Sequence, residues 1–377
     1  MGWSLTLATV RGIRIKLHLT FLLLIPWAAY NWGAADGAGL RGALFGIAIT
    51  STLFLCVVLH ELAHSLVAMQ FGVHVHEIEL SPIGGVSKMD SMPEKPYQEL
   101  WMALSGPLVN FAIAVPLGII VLGMSAGGAI RSLNHFVYLL GTPSWQGFVL
   151  NLFISNILLA LFNLLPAFPM DGGRVLRSVL SLGLGQTRAT RLATRVGQAL
   201  AIVLAAIGLF PPGGIRANPM LVIIGLFVFA GAQQEERASE ILAVLGDLRV
   251  GQAVITACQV LAPQDTLDTV LNHTLRGHPA CFGIVEDGKL VGLLSHDDIA
   301  AALEAYGHSV PVRDIMQKQF PSLSDSDTLA RAWQLMAASG RRALPVTRDG
   351  QWLGMVTAQQ IGQIHAFLAA RQRGKRT

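Results

Sequence analysis

Apolar positions dominate the first two-thirds of the chain and fall in long runs. Six of them reach the roughly 20 residues that span a 30 Å hydrocarbon core: 17–34, 42–71, 97–124, 145–168, 196–214 and 217–234. Each predicts a membrane helix. Pro211-Pro212-Gly213-Gly214 interrupts the fifth run and leaves a very short turn before the sixth. The first run is read as a retained helix, not a cleaved signal, because the charge alternation described below needs it. Residues 73–80 alternate apolar and polar, which is the period of a strand. Beyond residue 234 the apolar runs shorten. Gln233-Gln234-Glu235-Glu236-Arg237 opens an amphipathic helical linker to about Leu245, and two blocks offset by about 62 residues follow. In them Asp265-Thr266-Leu267 matches Asp327-Thr328-Leu329, and Asp287-Gly288 matches Asp349-Gly350. Each block reads helix, strand, Asp-Gly hairpin, strand, helix. The pattern predicts a polytopic α-helical membrane domain (1–234) of about six helices with a small β element. A linker (235–246), two α/β repeats (247–306 and 307–366) and a basic tail (367–377) complete the chain.

Composition sharpens this division. Of 377 residues 52% are hydrophobic and only 13% charged, against about 25% charged in an ordinary soluble protein. Residues 1–234 hold 21 of the 50 charges. A soluble globule, a disordered chain and a nucleic-acid binder all fit poorly, and a net charge of +4 provides no polyanion-binding surface. Cys56, Cys258 and Cys281 lie far apart and form no disulfide framework or cysteine metal site. Lys and Arg in successive loops number 3, 2 and 5 on one side against 1, 1 and 1 on the other. By the positive-inside rule both termini and the repeat pair are cytoplasmic.

The second apolar run contains Leu59-His60-Glu61-Leu62-Ala63-His64. Two histidines four apart share one helix face and can hold one Zn2+. Glu61, next to the first ligand, can reach a metal-bound water and act as general base. Ionisable groups at membrane depth are costly and are seldom kept without a function; packing of the two imidazoles against neighbouring helices is the alternative. A catalytic zinc needs a further protein ligand. His74 and His76 follow the strand alternation and read as loop or strand residues. The better candidate is Asp171, in Asn163-Leu164-Leu165-Pro166-Ala167-Phe168-Pro169-Met170-Asp171-Gly172-Gly173, and it is the sole acid between Glu99 and Glu235. Pro166 and Pro169 should unwind the backbone there, and Gly172-Gly173 permits close approach of another chain segment. Both runs reach the cytoplasmic side at similar depth by the charge rule. The alternative is that Asp171 caps the following helix. Cys56, one turn before His60, reads as a packing residue.

These motifs, with Ser105-Gly106-Pro107-Leu108-Val109-Asn110, resemble the site-2 protease family of intramembrane zinc metalloproteases over about residues 10–234. The resemblance implies His60, His64 and Asp171 as zinc ligands, Glu61 as base and a three-helix catalytic core. It is closest to the branch of sporulation pro-sigma-factor proteases and archaeal relatives, in a prokaryotic inner membrane. Expected substrates are transmembrane proteins: a pro-sigma factor, an anti-sigma factor or a signal-peptide remnant. Membrane lipid is an expected partner and a homo-oligomer is compatible; nucleic acid is not. Asn110 and Asn163 read either as substrate or oxyanion contacts or as interhelical hydrogen bonders. Gly84 and Gly85, in Ile83-Gly84-Gly85-Val86, read as an edge to which an unwound substrate adds as a strand. A transporter or channel using His60, Glu61 and His64 as a cation path, and a non-catalytic scaffold, are the competing functions.

The repeats resemble a tandem pair of CBS domains, which implies ATP, ADP or AMP as a regulatory ligand. The first block carries the S/T-x-x-D pattern as Ser295-His296-Asp297-Asp298. The second departs from it with Thr357-Ala358-Gln359-Gln360, so one site at most is intact. The alternative is that the carboxylates simply begin a helix.

Overall fold

The computed structural model describes residues 4–34, 38–82, 84–89, 92–93, 95–211, 216–246, 248–256, 260–275, 281–318 and 320–374. The chain forms two units, Met1–Ala238 and Ser239–Thr377.

The first unit opens with a hairpin of β1 (Ser4–Val10) and β2 (Ile13–His18), turned by Arg11 and Gly12 at positive φ. A 3-10 turn (Leu19–Leu23) leads into α1 (Leu24–Ala34), and α2 (Gly39–Gln70) follows. Then come β3 (Val75–Ser81), β4 (Gly84–Met89), α3 (Pro96–Ala126), α4 (Leu133–Gly141), α5 (Trp145–Asn163), α6 (Asp171–Leu184), α7 (Gln186–Leu209) and α8 (Pro219–Gly246). The sheet order is β1-β2-β3-β4, with β2–β3 parallel and β4 at an edge. Its apolar face (Ile13, Ile15, Val75, Ile78, Leu80) packs with Ala68 of α2 and Met102 of α3.

Four described helices are long and apolar enough to cross a membrane: α2, α3, α5 and α7. Three expected spans depart from the pattern. The run 17–34 divides into the end of a strand, a 3-10 turn and an eleven-residue helix. The 3-10 turn and α1 run on continuously over residues 19–34 and together rise about 27 Å, near the thickness of the core. The fifth run belongs to a helix that begins ten residues earlier, so Arg188, Arg191 and Arg195 are helical and not loop residues. The sixth continues unbroken through the expected linker as α8. Pro212, Gly213 and Gly214 lie outside the described residues. The unwinding expected at Pro166 and Pro169 is present, because residues 164–170 form turns between α5 and α6.

The second unit repeats one motif. After β5 (Val260–Leu261) come α9 (Leu267–Leu275), β6 (Cys281–Glu286), β7 (Lys289–Ser295), α10 (His296–Tyr306) and α11 (Val312–Ile315). After β8 (Leu323–Ser324) come α12 (Leu329–Ser339), β9 (Ala343–Arg348), β10 (Gln351–Thr357) and α13 (Ala358–Gly374). The six-stranded order β5-β6-β7-β10-β9-β8 is symmetric about its centre. Both Asp-Gly turns place both residues at positive φ (51° and 77°; 51° and 81°), the geometry that two-residue hairpins demand. Each half has its own core, around Phe282 and Ile284 in one and Leu344 and Val346 in the other.

Candidate metal centre

His60 and His64 sit one turn apart on α2, both buried. Asp171 is the first residue of α6. Their donor atoms converge: the two Nε2 atoms lie 3.1 Å apart, and each lies 3.2 Å from Asp171 Oδ2. Among the described residues this is the one group of three such side chains that could share an ion.

The chemistry of the donor set tests whether a metal fits. His64 Nδ1 lies 2.7 Å from the Met102 carbonyl, which accepts only from Nδ1–H; Nε2 therefore carries a lone pair. His60 Nδ1 lies 3.0 Å from the Asn110 amide, whose Oδ1 is buried without a partner. Turned about Cγ, that amide offers Oδ1 to His60 Nδ1–H and leaves a second lone pair on Nε2. With both rings neutral, two lone pairs and a carboxylate oxygen face one another, a donor set that a divalent cation between them satisfies. Tetrahedral Zn2+ with ligand bonds of about 2.05 Å spaces its ligands about 3.3 Å apart, near the distances observed. Residues present and the group fit. Three protein donors leave a fourth position open, as in catalytic zinc sites.

Helix α3 carries the supports. Met102 and Asn110 hold the two rings, and between them Gly106 closes the site: a Cβ there would lie 2.3 Å from His64 Nε2 and 2.6 Å from His60 Nε2. Only glycine lets α3 come this near. Gly172 and Gly173 also serve close approach, but the approaching backbone is the chain's own 164–168 turn, with Leu165 O 2.2 Å from a Cβ at Gly172.

Glu61 turns to the sheet. Ser87 Oγ on β4 donates to Glu61 Oε2 at 2.9 Å, and Ser65 Oγ donates to the Glu61 carbonyl at 2.9 Å. Gly85, two residues before Ser87 on the same strand face, has no room for a Cβ, which would meet Glu61 Cγ at 2.5 Å. Gly84 begins β4 at φ +140°; Ile83 lies outside the described residues.

Asn110 thus contacts His60, whereas Asn163 Nδ2 donates to Leu159 O of its own helix. Cys56 is buried with Ile49 and Leu152 and faces the Asn156 amide at 3.5 Å. Sequence reasoning missed Ser87, Gly106 as a spacer, Asn156, and a buried ion group in which Arg177 of α6 pairs with Glu99 of α3 and Glu235 of α8. In the second unit Ser295 N and Oγ both donate to Asp298 Oδ2, and Gln317 Nε2 donates to Asp298 Oδ1 at 2.9 Å. Burial pushes the Asp298 carboxyl up, but the Ser295 and Gln317 hydrogen bonds outweigh it and hold the pKa below its ordinary value. The second block places Gln360 at the equivalent turn, capped by Thr357 Oγ1.

A three-donor metal site with an adjoining carboxylate, set in membrane-length helices, is the centre of a membrane-embedded metallohydrolase. Known proteins agree: the model of peptidase family M50 matches residues 48–204, and that of the CBS domain matches 250–305 and 312–361. A zinc metalloprotease of Methanocaldococcus jannaschii is 31% identical over 377 residues, 99% of each chain. Rip3 of Mycobacterium tuberculosis is 27% identical over 376 residues, 96% of this chain and 92% of that one. A solved site-2 protease from Methanocaldococcus jannaschii is 36% identical, covering 62% of this chain and 96% of that chain, with a TM-score of 0.42. The chain belongs to peptidase family M50, the site-2 protease family of zinc metalloproteases, and carries tandem CBS domains.

Proposed function

We propose that the protein is an intramembrane endopeptidase that cuts a transmembrane or membrane-associated protein within or near the bilayer, with His60, His64 and Asp171 holding zinc and Glu61 as general base. The observation that carries this reading is the convergence of the three donor atoms beside a carboxylate whose other oxygen is already engaged. Zinc, when bound, supplies Lewis-acid activation. Ser87 occupies Glu61 Oε2 and leaves Oε1 to take the proton of the attacking water and return it to the leaving amine. Among the described residues β4 is an edge strand, and beside Glu61 it offers backbone groups to an extended peptide, so an unwound substrate joins the sheet next to the base. The turns at 164–170 are non-helical backbone at membrane depth, and their N–H groups at 164, 165, 167 and 170 are satisfied by hydrogen bonds within the turn and to the end of α5.

With residues 19–34 as the first crossing, Arg11, Arg14 and Lys16 before it and Lys88 and Lys95 after α2 fall on one side of the bilayer, which supports a cytoplasmic N-terminus and CBS pair in a prokaryotic cell membrane. Residues 1–234, 247–306 and 307–366 are the working domains, joined by 235–246 and ending in the basic 367–377. Candidate substrates are a pro-sigma factor, an anti-sigma factor or a signal-peptide remnant. Co-expression with single-span candidates, comparing wild type with Glu61→Gln by product mass, tests the reading. The expected result is a defined product with wild type, none with the variant, and equal zinc content; a product formed equally by both overturns it.

Ser295 and Asp298 are the groups for the ribose of an adenine nucleotide, which must displace Gln317 or share its carboxylate. Calorimetry of the full chain should show heat with AMP, ADP or ATP that Asp298→Asn abolishes; no heat with any of the three removes nucleotide regulation.

A further inference from the structure

The third metal ligand poses a problem that the two histidines do not. Asp171 opens a helix with no side-chain cap and follows seven residues of irregular backbone. Its position is therefore set by what grips the chain on either side of it. Before it, the 167–170 turn rests against Ala193 and Ala201 of α7 and on one face of α8. Val228 shares a cluster with Ala167 and Met170, and Ala232 shares one with Phe168. Gly231 meets Pro169 so closely that a Cβ would lie 2.6 Å from Pro169 Cδ. After it, Arg177 Nη1 donates to Glu235, the next position of that face. Residues 228, 231, 232 and 235 follow the i, i+3, i+4, i+7 spacing of one helical stripe.

Arg177 also binds α3. Its Nε donates to Glu99 Oε1 at 2.8 Å, Nη2 reaches the same carboxylate, and its guanidinium lies 5.1 Å from the centroid of the Phe168 ring. Glu99 stands one turn before Met102 on α3, the helix that also holds His60 through Asn110. One carboxylate would suffice to neutralise Arg177, yet two converge on it from different helices, both Arg177 and Glu99 being buried.

We propose that Arg177 is a positioning residue for Asp171, clamped between α3 and α8, and that α8 seats the Asp171 carboxylate through the stripe Val228, Gly231, Ala232 and Glu235. This rests on the reading of Asp171 as a zinc ligand. Met102, Asn110 and the Glu99–Arg177 pair then give each of the three ligands one support from α3, and the third support depends additionally on α8. The chain leaves the first unit along this same helix.

The test is the rate at which full-length, zinc-loaded protein in detergent releases zinc to an excess of chelator carrying a zinc-responsive dye. Glu235→Ala removes a half-buried side chain at little risk to folding; Arg177→Gln removes the clamp itself. Outer contacts of metal ligands typically change metal hold about 10–100-fold. Release is expected to quicken about tenfold in Glu235→Ala, less in Glu235→Gln, which keeps a hydrogen-bond acceptor, and not at all in Glu236→Ala. Thermal melting separates a general loss of structure from this effect: a lowered melting temperature with unchanged release overturns the proposal. So does release within twofold of wild type in Glu235→Ala, whatever Arg177→Gln does. Asp171→Asn distinguishes the two levels. If it retains zinc as wild type does, the ligand reading itself fails; if it loses zinc while Glu235→Ala releases normally, only the positioning role fails.

Discussion

Gly106→Ala should destroy the metal site while leaving the helix intact. The new Cβ would fall 2.3 Å from His64 Nε2 and 2.6 Å from His60 Nε2, where carbon and nitrogen ordinarily approach no closer than about 3.4 Å. Something must move by about 1 Å. A metal site tolerates ligand displacements of about 0.2 Å, so the strain is several times the tolerance. Withdrawing α3 offers no escape, because the His64 ring is tied to Met102 O on that helix at 2.7 Å and His60 to Asn110 at 3.0 Å. The added methyl therefore turns one or both rings away. Losing a direct ligand costs more than disturbing an outer one, which is worth about 10–100-fold, so zinc affinity should fall by more than about 100-fold. Zinc per chain after dialysis against a chelator, with competition titration for the affinity, measures it. Gly123→Ala on the same helix is the control: a Cβ there meets nothing within 4 Å, and alanine should raise helix stability by up to about 1 kcal/mol. Stoichiometric zinc in Gly106→Ala at an affinity within threefold of wild type would refute the argument.

Two further outcomes follow from neighbouring contacts. Asn110→Leu should weaken zinc binding about 10–100-fold by leaving His60 Nδ1 unsupported, and Asn110→Asp, which keeps an acceptor, should recover part of it; equal affinities in the three proteins would show that the amide does not orient the ring. Burial pushes the Glu77 carboxyl up, but its hydrogen bonds to Lys16 and Lys88 prevail and bring it below the ordinary carboxyl range, to about 2. A lowered carboxyl pKa stabilises the fold above the unfolded value and ceases to do so as pH falls through the folded one. The thermal midpoint of wild type should thus decline between pH about 4.5 and 2, and Glu77→Gln should flatten that decline; parallel curves would contradict the assignment.

Legibility tracked how local each determinant is. The CBS repeats were readable because Asp287-Gly288 and Asp349-Gly350 carry their own hairpin geometry. The HExxH face was readable because the helix period alone juxtaposes His60 and His64. The first run was legible only in outline: an apolar window sums over the end of β2, a 3-10 turn and α1, and hydropathy does not distinguish these conformations. Arg177 lies in the sequence between the fourth and fifth apolar runs, its partners stand 78 and 58 residues away, and nothing nearby marks it as buried. Ser87 was hidden likewise: its partner Glu61 lies 26 residues back, and only the folding of β4 onto α2 makes the hydroxyl significant.

The scarcity of acids was the signal that could have reached further. A carboxylate in an apolar unit is retained with a partner or a role, so each one can be accounted for. Among the described residues before Gln234 there are five acids. Glu77 is bound by Lys16 and Lys88, Glu79 by Lys88, and Glu99 by Arg177. Among the described residues Glu61 and Asp171 have no lysine or arginine partner; Glu61 is held by a serine hydroxyl, and Asp171 Oδ2 lies 3.2 Å from the Nε2 atoms of two imidazoles. A permanent counter-ion would neutralise Asp171 against a metal and Glu61 against a proton. The absence of one among the described residues therefore sets Glu61 and Asp171, the acids of the proposed mechanism, apart from the three that pair with lysine or arginine, and it does so without reference to the spacing of the histidines.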